Sequence, residues 1–270
     1  MCYYFRMNVI IIGNCSDEFV NLIKKSKLLD KLYVINNDFN TDLPSIKYQT
    51  LEELVQKLKA LQTDVVIVTD KEFIIDGSVE HLKSNFINVL SPNQKWFNLE
   101  KSRLIAKQLL THYSIDVPKT ILAPKNFPLL IKSDSPFLCK IVSSMDELVL
   151  AMQKYRGEKI FLEDILDGDV FSLLVLWDGK SARYYMNSEE LTEVQRDRLS
   201  FLQAKFNFLL SDEKANFIGF FNAKLIWAQN DWHVLDFEMC FNDSLIVNYI
   251  KEDFLFLVNL AIYQKIDDIR

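Results

Sequence analysis

The sequence predicts two folds in series: a doubly wound parallel-sheet α/β domain over residues 1–90, then an α+β domain over residues 119–270, joined by a helical connecting segment at 91–118. Three observations predict this. Up to residue 90, apolar runs of strand length alternate with helical stretches, the pattern of parallel strands crossed by helices. Ser91-Pro-Asn-Gln opens a new segment, and Pro118 and Pro124 punctuate its far end. Beyond them, Asp178-Gly and Ala228-Gln-Asn-Asp231 separate apolar runs in the manner of hairpin turns.

The elements follow in order. Residues 7–13, Met-Asn-Val-Ile-Ile-Ile-Gly, read as a buried parallel strand. A helix is expected over 17–29, a strand over 32–35, and a helix over 51–61 with Leu51, Leu54, Val55, Leu58 and Leu61 at helical spacing. Strands at 64–69 and 87–90 flank a helix at 77–85. A single helix is expected over 99–113, carrying Arg103 and Lys107 one turn apart, and residues 118–127 read as a connector. Strands follow at 128–132, 159–164, 168–177 and 182–186, with helices at 143–154 and 191–209. A closing hairpin spans 217–243 and a helical region 244–270. Aromatics of that region such as Phe254 and Phe256 are expected to pack or to form a subunit contact, as in a homodimer.

Composition narrows the function classes. Of 270 residues, 49% are hydrophobic and 25% charged, enough for a substantial core. The net charge of −6, without blocks of like charge, argues against a nucleic-acid surface and leaves room for a small anionic ligand in a local basic pocket. No apolar run has the ~20 residues of a membrane span. Cys2, Cys15, Cys139 and Cys240 are scattered, which suits reduced thiols and a cytoplasmic location. Met7 is an alternative start, because the regular pattern begins there. The histidines His81, His112 and His233 lie in no metal-spacing motif.

Chemistry concentrates in the closing hairpin. Asp236 and Glu238 are two residues apart on a strand, so both carboxylates point to the same face. Two same-face acids on an apolar strand suit Mg2+ carrying a nucleotide phosphate; a solvent-facing sheet edge is the alternative. Lys132 and Lys140 on one part of the α+β half, facing Glu163, Asp164, Asp236 and Glu238 on others, form the combination that neutralises nucleotide phosphates and holds their metal. Glu72 and Asp76-Gly77 follow a parallel strand, and a loop role is expected for them. Gly13-Asn-Cys-Ser-Asp-Glu is not a dinucleotide fingerprint.

Asn8-Val-Ile-Ile-Ile-Gly13, Leu99-Glu-Lys-Ser-Arg-Leu-Ile-Ala-Lys107, Pro128-Leu-Leu-Ile-Lys132, Ile160-Phe-Leu-Glu-Asp-Ile-Leu-Asp-Gly168 and Val234-Leu-Asp-Phe-Glu238 occur in an order that resembles the ATP-grasp ligases, and among them the phosphoribosylamine–glycine ligase family. The resemblance runs from about residue 7 to residue 250. It implies ATP and Mg2+ as cofactors, and glycine and phosphoribosylamine as substrates joined through an acyl phosphate. It places Arg103, Lys132 and Lys140 on the nucleotide, Glu163, Asp164 and Leu166 in the hinge beside adenine, Asp169 near the ribose, and Asp236 and Glu238 on the metal. The sequence departs from the family where Ser135, Cys139 and Ile141 stand for loop glycines, Val170 for an acid, and Cys240 for an arginine near the reacting carboxylate. Asn14-Cys-Ser stands for a glycine-rich turn, a Gly-Gly-Met-Gly substrate segment has no counterpart, and the family continues past residue 270 into another module. The resemblance therefore carries two readings: a ligase, or an eroded relative acting as a nucleotide-binding or regulatory protein. A structural protein that binds no nucleotide is the third.

Overall fold

A computed structural model of the chain describes residues 6–35, 43–187, 189 and 191–268. Met1 and Cys2 lie outside the described residues. Strands β1 (Met7–Ile12), β2 (Leu29–Ile35), β3 (Val65–Val68) and β4 (Val89–Leu90) form a parallel sheet in the order β2-β1-β3-β4. Helices α1 (Asp17–Lys24), α2 (Leu51–Ala60), α3 (Lys71–Ile75) and α4 (Ser78–Ser84) connect them. The strands alternate in facing: Val9 and Ile11 pack with Phe19 and Ile23 of α1, while Ile10 and Ile12 pack with Leu54 of α2 and Leu82 of α4. Both faces are therefore covered, as near-continuous apolar parallel strands require. Helix α1 ends earlier than the sequence suggests because the Ser26 hydroxyl accepts from the Leu28 amide at 3.1 Å and turns the chain into β2.

The helix expected over 99–113 is two helices, α5 (Gln94–Lys101) and α6 (Arg103–His112). Ser102 between them is extended at φ −131° and ψ 106°. Its hydroxyl accepts from the Ile105 amide at 3.2 Å and donates to Asp134 at 2.6 Å, so a capping bond replaces helical continuity. The connector also holds a strand, β5 (Thr120–Ile121), and the loop after residue 133 leads into another, β7 (Cys139–Val142). With β6 (Leu129–Ser133) and β8 (Ile160–Glu163) these form an antiparallel sheet, β5-β8-β6-β7, covered by α7 (Met145–Lys154). Leu129, Ile131, Leu138, Val142, Leu148 and Ala151 give this lobe a core of its own.

The third sheet, β10-β9-β11-β12, comprises β9 (Asp169–Trp177), β10 (Ala182–Tyr185), β11 (Gly219–Ala228) and β12 (Asp231–Glu238). Helix α8 (Glu193–Asp212) covers one face, its N-terminus closed by a capping box between Thr192 and Gln195. Helices α9 (Asp243–Tyr249) and α10 (Phe254–Ile262) cover the other, and Phe254 is part of that core while Phe256 is half exposed. The closing hairpin turns at Gln229 (φ 55°) and Asn230 (φ 64°), two consecutive left-handed residues as a type I′ turn requires. The parallel sheet and this sheet meet edge to edge, where the Ser91 amide donates to the Ile218 carbonyl at 2.7 Å. A Cβ on Gly219 would lie 3.0–3.1 Å from the Ser91 backbone, so the close approach depends on glycine there. Two cores consequently run through both sheets, one on each face, and the β5–β8 lobe stands apart from them. Among the described residues no helix is long and apolar enough to cross a membrane.

Candidate functional site

Where the β5–β8 lobe faces β12, charged side chains from four elements converge. Strand alternation sends Lys132 of β6 and Glu163 of β8 to the same face, opposite the lobe's own core. The two are 4% and 3% exposed, and Lys132 Nζ lies 3.0 Å from Glu163 Oε2 and 3.4 Å from the Leu235 carbonyl. From α6, Lys107 donates to the other oxygen of Glu163 and lies over the Phe161 ring. One buried carboxylate thus serves two ammonium groups. Burial pulls the Lys107 amine below the ordinary lysine value; Glu163 opposes this and the Lys132 charge adds to it.

Arg103, at the start of α6, makes a fork onto Asp236, with Nε 3.0 Å from Oδ1 and Nη2 3.1 Å from Oδ2. Its Nη1 donates to the carbonyls of Ser133 and Leu138 at 3.3 and 3.0 Å. Asp134 in the same loop accepts from the Leu104 amide at 3.0 Å and from Ser102. The Ser133–Leu138 loop is therefore fastened to the N-terminus of α6 by both side chain and backbone. Arg103, Lys107 and Lys132 with Glu163 and Asp236 line a cavity of about 20 Å3, net charge +1 from three cations and two carboxylates. That volume holds about one water, against roughly 300–1,000 Å3 for a small-molecule pocket.

Asp236 and Glu238 pair with Lys224 and Asn222 of β11 and so occupy one face of β12. The register shift at Leu235 returns Phe237 to the core beside Val234 and leaves both acids on the opposite side. Glu238 accepts from the side-chain amides of Asn222 and Asn242, at 3.1 and 3.3 Å. Asn222 is 2% exposed, and its Oδ1 has no hydrogen-bond partner. Glu238, Asn222 and Asp236 are oxygen donors suited to a hard cation, and the orphaned Asn222 oxygen is one such a cation would satisfy. Among the described residues no group of three or more His, Cys, Asp or Glu side chains is placed to hold a metal.

The remaining sequence candidates are not brought into this cavity. Lys140 pairs with Ile131, whose side chain enters the lobe core, so Lys140 stands on the face away from Lys132 and is exposed. This facing has a simple cause: β7 is a strand, and an odd step from Cys139, which faces with Lys132, reverses the direction. Asp164 and Leu166 are half-buried in the segment after β8, where the Asp164 amide donates to the Lys119 carbonyl at 3.1 Å. Asp169 is exposed at the start of β9, next to Val170, itself 52% exposed. Lys107 and Asn222 are site residues that the sequence candidates lacked; for Lys107 its one-turn spacing from Arg103 was the available signal. Cys240 meets Glu100, whose carboxylate accepts from the Met239 and Cys240 amides at 2.7 and 2.9 Å and from Lys71 at 2.7 Å. Burial, with Glu100 second, pushes the Cys240 thiol up to about 11.

The arrangement of three sheets, with a small antiparallel lobe over β12, is the fold of the ATP-grasp ligases. Within that class the chain resembles phosphoribosylamine–glycine ligase. It is 22% identical to that enzyme from Fusobacterium nucleatum over 98% of this chain and 75% of the relative. The solved phosphoribosylamine–glycine ligase of Thermotoga maritima superposes with a TM-score of 0.75 at 17% identity, covering 96% of this chain and 76% of that one. A D-alanine–D-alanine ligase from Bacillus anthracis, complexed with ATP, superposes with a TM-score of 0.62 at 15% identity over 97% of this chain and 99% of that one. No protein-family model matches the chain.

Proposed function

We propose that this chain is an ATP-dependent ligase of the ATP-grasp type, joining a carboxylate to an amine. ATP would enter between the β5–β8 lobe and β12, with glycine and phosphoribosylamine as the first substrate pair to test. The observation that carries the reading is the sharing of buried Glu163 by Lys132 and Lys107. One carboxylate cannot balance two ammonium groups, and the surplus positive charge in a chain of net charge −6 favours an anion at this point. Lys107, Lys132 and Arg103 would hold phosphate oxygens, and Asp164 to Leu166 would border the base beside Asp169. Lys140 would reach the nucleotide only if β7 re-registers on closure. Asp236, Glu238 and Asn222 would hold Mg2+, which supplies charge neutralisation at the phosphates. The domain reading proposed with this is a parallel-sheet domain to residue 90, the connecting helices, and an ATP-grasp unit from 119.

The narrow cavity means that the lobe must swing outward to admit ATP. The segment 164–168, between β8 and β9, is the proposed hinge. Titration calorimetry with ATP-Mg2+, followed by ADP release with glycine and phosphoribosylamine and then with other carboxylates and amines, tests the reading. Saturable ATP binding with substrate-dependent ADP release supports it.

A second reading has its own observation. The Ser133–Leu138 loop is fastened to α6, and Asp236 is held by Arg103. These contacts suit a non-catalytic relative that binds nucleotide without turnover. ATP binding with no ADP release across the substrate panel selects that reading, and no ATP binding rejects both.

A further inference from the structure

We propose a second small-molecule site at the junction of β4 and β11, taking an anion that carries a flat apolar body. The cavity there has a volume of about 770 Å3, within the range of small-molecule pockets and far larger than the cleft beside Glu163. It is lined from α4, β4, the end of α8, the approach to β11 and the turn after α10. It therefore lies toward the entry of β4, at the opposite end from the carboxyl ends of the parallel strands.

Its chemistry is one-sided. Lys83 and Lys214 line it, and among the described residues no carboxylate does. Lys83 is half-buried in the last turn of α4, and its amine reaches the Ser91 carbonyl at 3.5 Å, the outer limit of a hydrogen bond. Among the described residues it forms no ion pair; Glu80, one turn earlier on α4, is the acid whose field it feels. A positive group held this way gains from any anion that enters. The apolar part of the lining supplies the rest. Phe86 is 94% exposed at φ 62°, a left-handed backbone that is uncommon for a bulky residue and holds the ring out at the rim. Phe217, 1% exposed with its ring packed on Trp96, and the partly exposed Ile218 complete the apolar lining. Asn88 and Gln264 add side-chain amides that can read polar edges of the ligand.

Pyridoxal 5′-phosphate, a flat aldehyde carrying a phosphate, is the probe. The Lys83 amine adds to the aldehyde carbon, water leaves, and an imine forms; borohydride then delivers hydride to the imine carbon and fixes a secondary amine. Burial pushes the Lys83 amine down to about 8, so at that pH about half of it is the reactive free base. Peptide mapping of the full chain is expected to find Lys83 labelled at least about tenfold faster than exposed lysines. Phenyl phosphate and benzoate are then added as competitors. Protection by phenyl phosphate assigns a phosphate head, and protection by benzoate assigns a carboxylate; either supports the site. Lys83→Arg is expected to keep saturable phenyl phosphate binding while losing the label. Labelling of Lys83 no faster than exposed lysines, or protection by neither competitor, overturns the proposal. Mapping separates this outcome from labelling at Lys107 or Lys132, so it stands whether or not ATP binds the cleft.

Discussion

Glu163→Gln keeps the shape of the side chain and removes the charge that two buried lysines share. Breaking a buried ion pair on one side costs about 3–5 kcal/mol, because the partner charge stays behind. A loss of roughly 3 kcal/mol in urea unfolding is therefore expected, with a lower midpoint and unchanged slope. Lys132→Met would remove the phosphate contact proposed for this lysine and is expected to weaken ATP binding by about 10- to 100-fold, read by calorimetry. The thiols separate by environment. Burial raises Cys15 and Cys240 to about 11, while Cys139 is exposed. At pH 8 the thiolate fraction of the first two is about one in a thousand, so among these three iodoacetamide should label Cys139 first, as peptide mass spectrometry will show. Lys83 supplies a pH test. Its folded value of about 8 lies below its ordinary 10.5, so between these values the unfolded chain binds more protons and stability rises with pH. Lys83→Met should flatten that rise; an unchanged slope between pH 8 and 10.5 would show that the amine is solvated.

At the scale of elements, close approaches decide what a strand can tolerate. Gly168 leads into β9, and a Cβ there would come within 2.0 Å of the Trp227 carbonyl oxygen. Backbone cannot yield that distance locally, so Gly168→Ala should destabilise by about 1–3 kcal/mol or more, measured by thermal or urea unfolding. The same scale explains what could be read from the sequence. The period of two placed Asp236 and Glu238 on one face, and β12 keeps them there despite the register shift at Leu235. The parallel strands were legible because each is a short apolar run bounded by turns. The break at Ser102 was not, because its capping bond is completed by Asp134, 32 residues away. That break sets where α6 begins and aims Arg103 at Asp236. The facing of Lys140 was not legible for the same kind of reason: it depends on the register of β7 against β6, a long-range pairing that a loop-like sequence hides.

At the scale of the whole molecule, the division of cores predicts how the cleft opens. Two cores run through both larger sheets, so β1, β3, β9 and β11 should unfold together. The β5–β8 lobe has a small separate core and is tied across the cleft by polar contacts: Arg103 to Ser133 and Leu138, and Lys132 to the Leu235 carbonyl. Polar ties exchange readily for water once a gap forms, whereas apolar burial does not. Amides of β6, β7 and β8 should therefore exchange with solvent faster than those of β1 and β11 in the ligand-free chain. ATP-Mg2+ bridging the lobe to β12 would replace the broken ties, and its binding energy would favour the closed lobe directly and the folded chain as a whole by mass action. The largest slowing of exchange, in β6–β8 and the 164–168 segment, is the expected response to ATP-Mg2+. Protection spread evenly over all three sheets would mean that the lobe does not move as a unit. Equal exchange in the lobe and in β1 before ligand is added would remove the proposed hinge, and with it the route proposed for a nucleotide to Lys107 and Lys132.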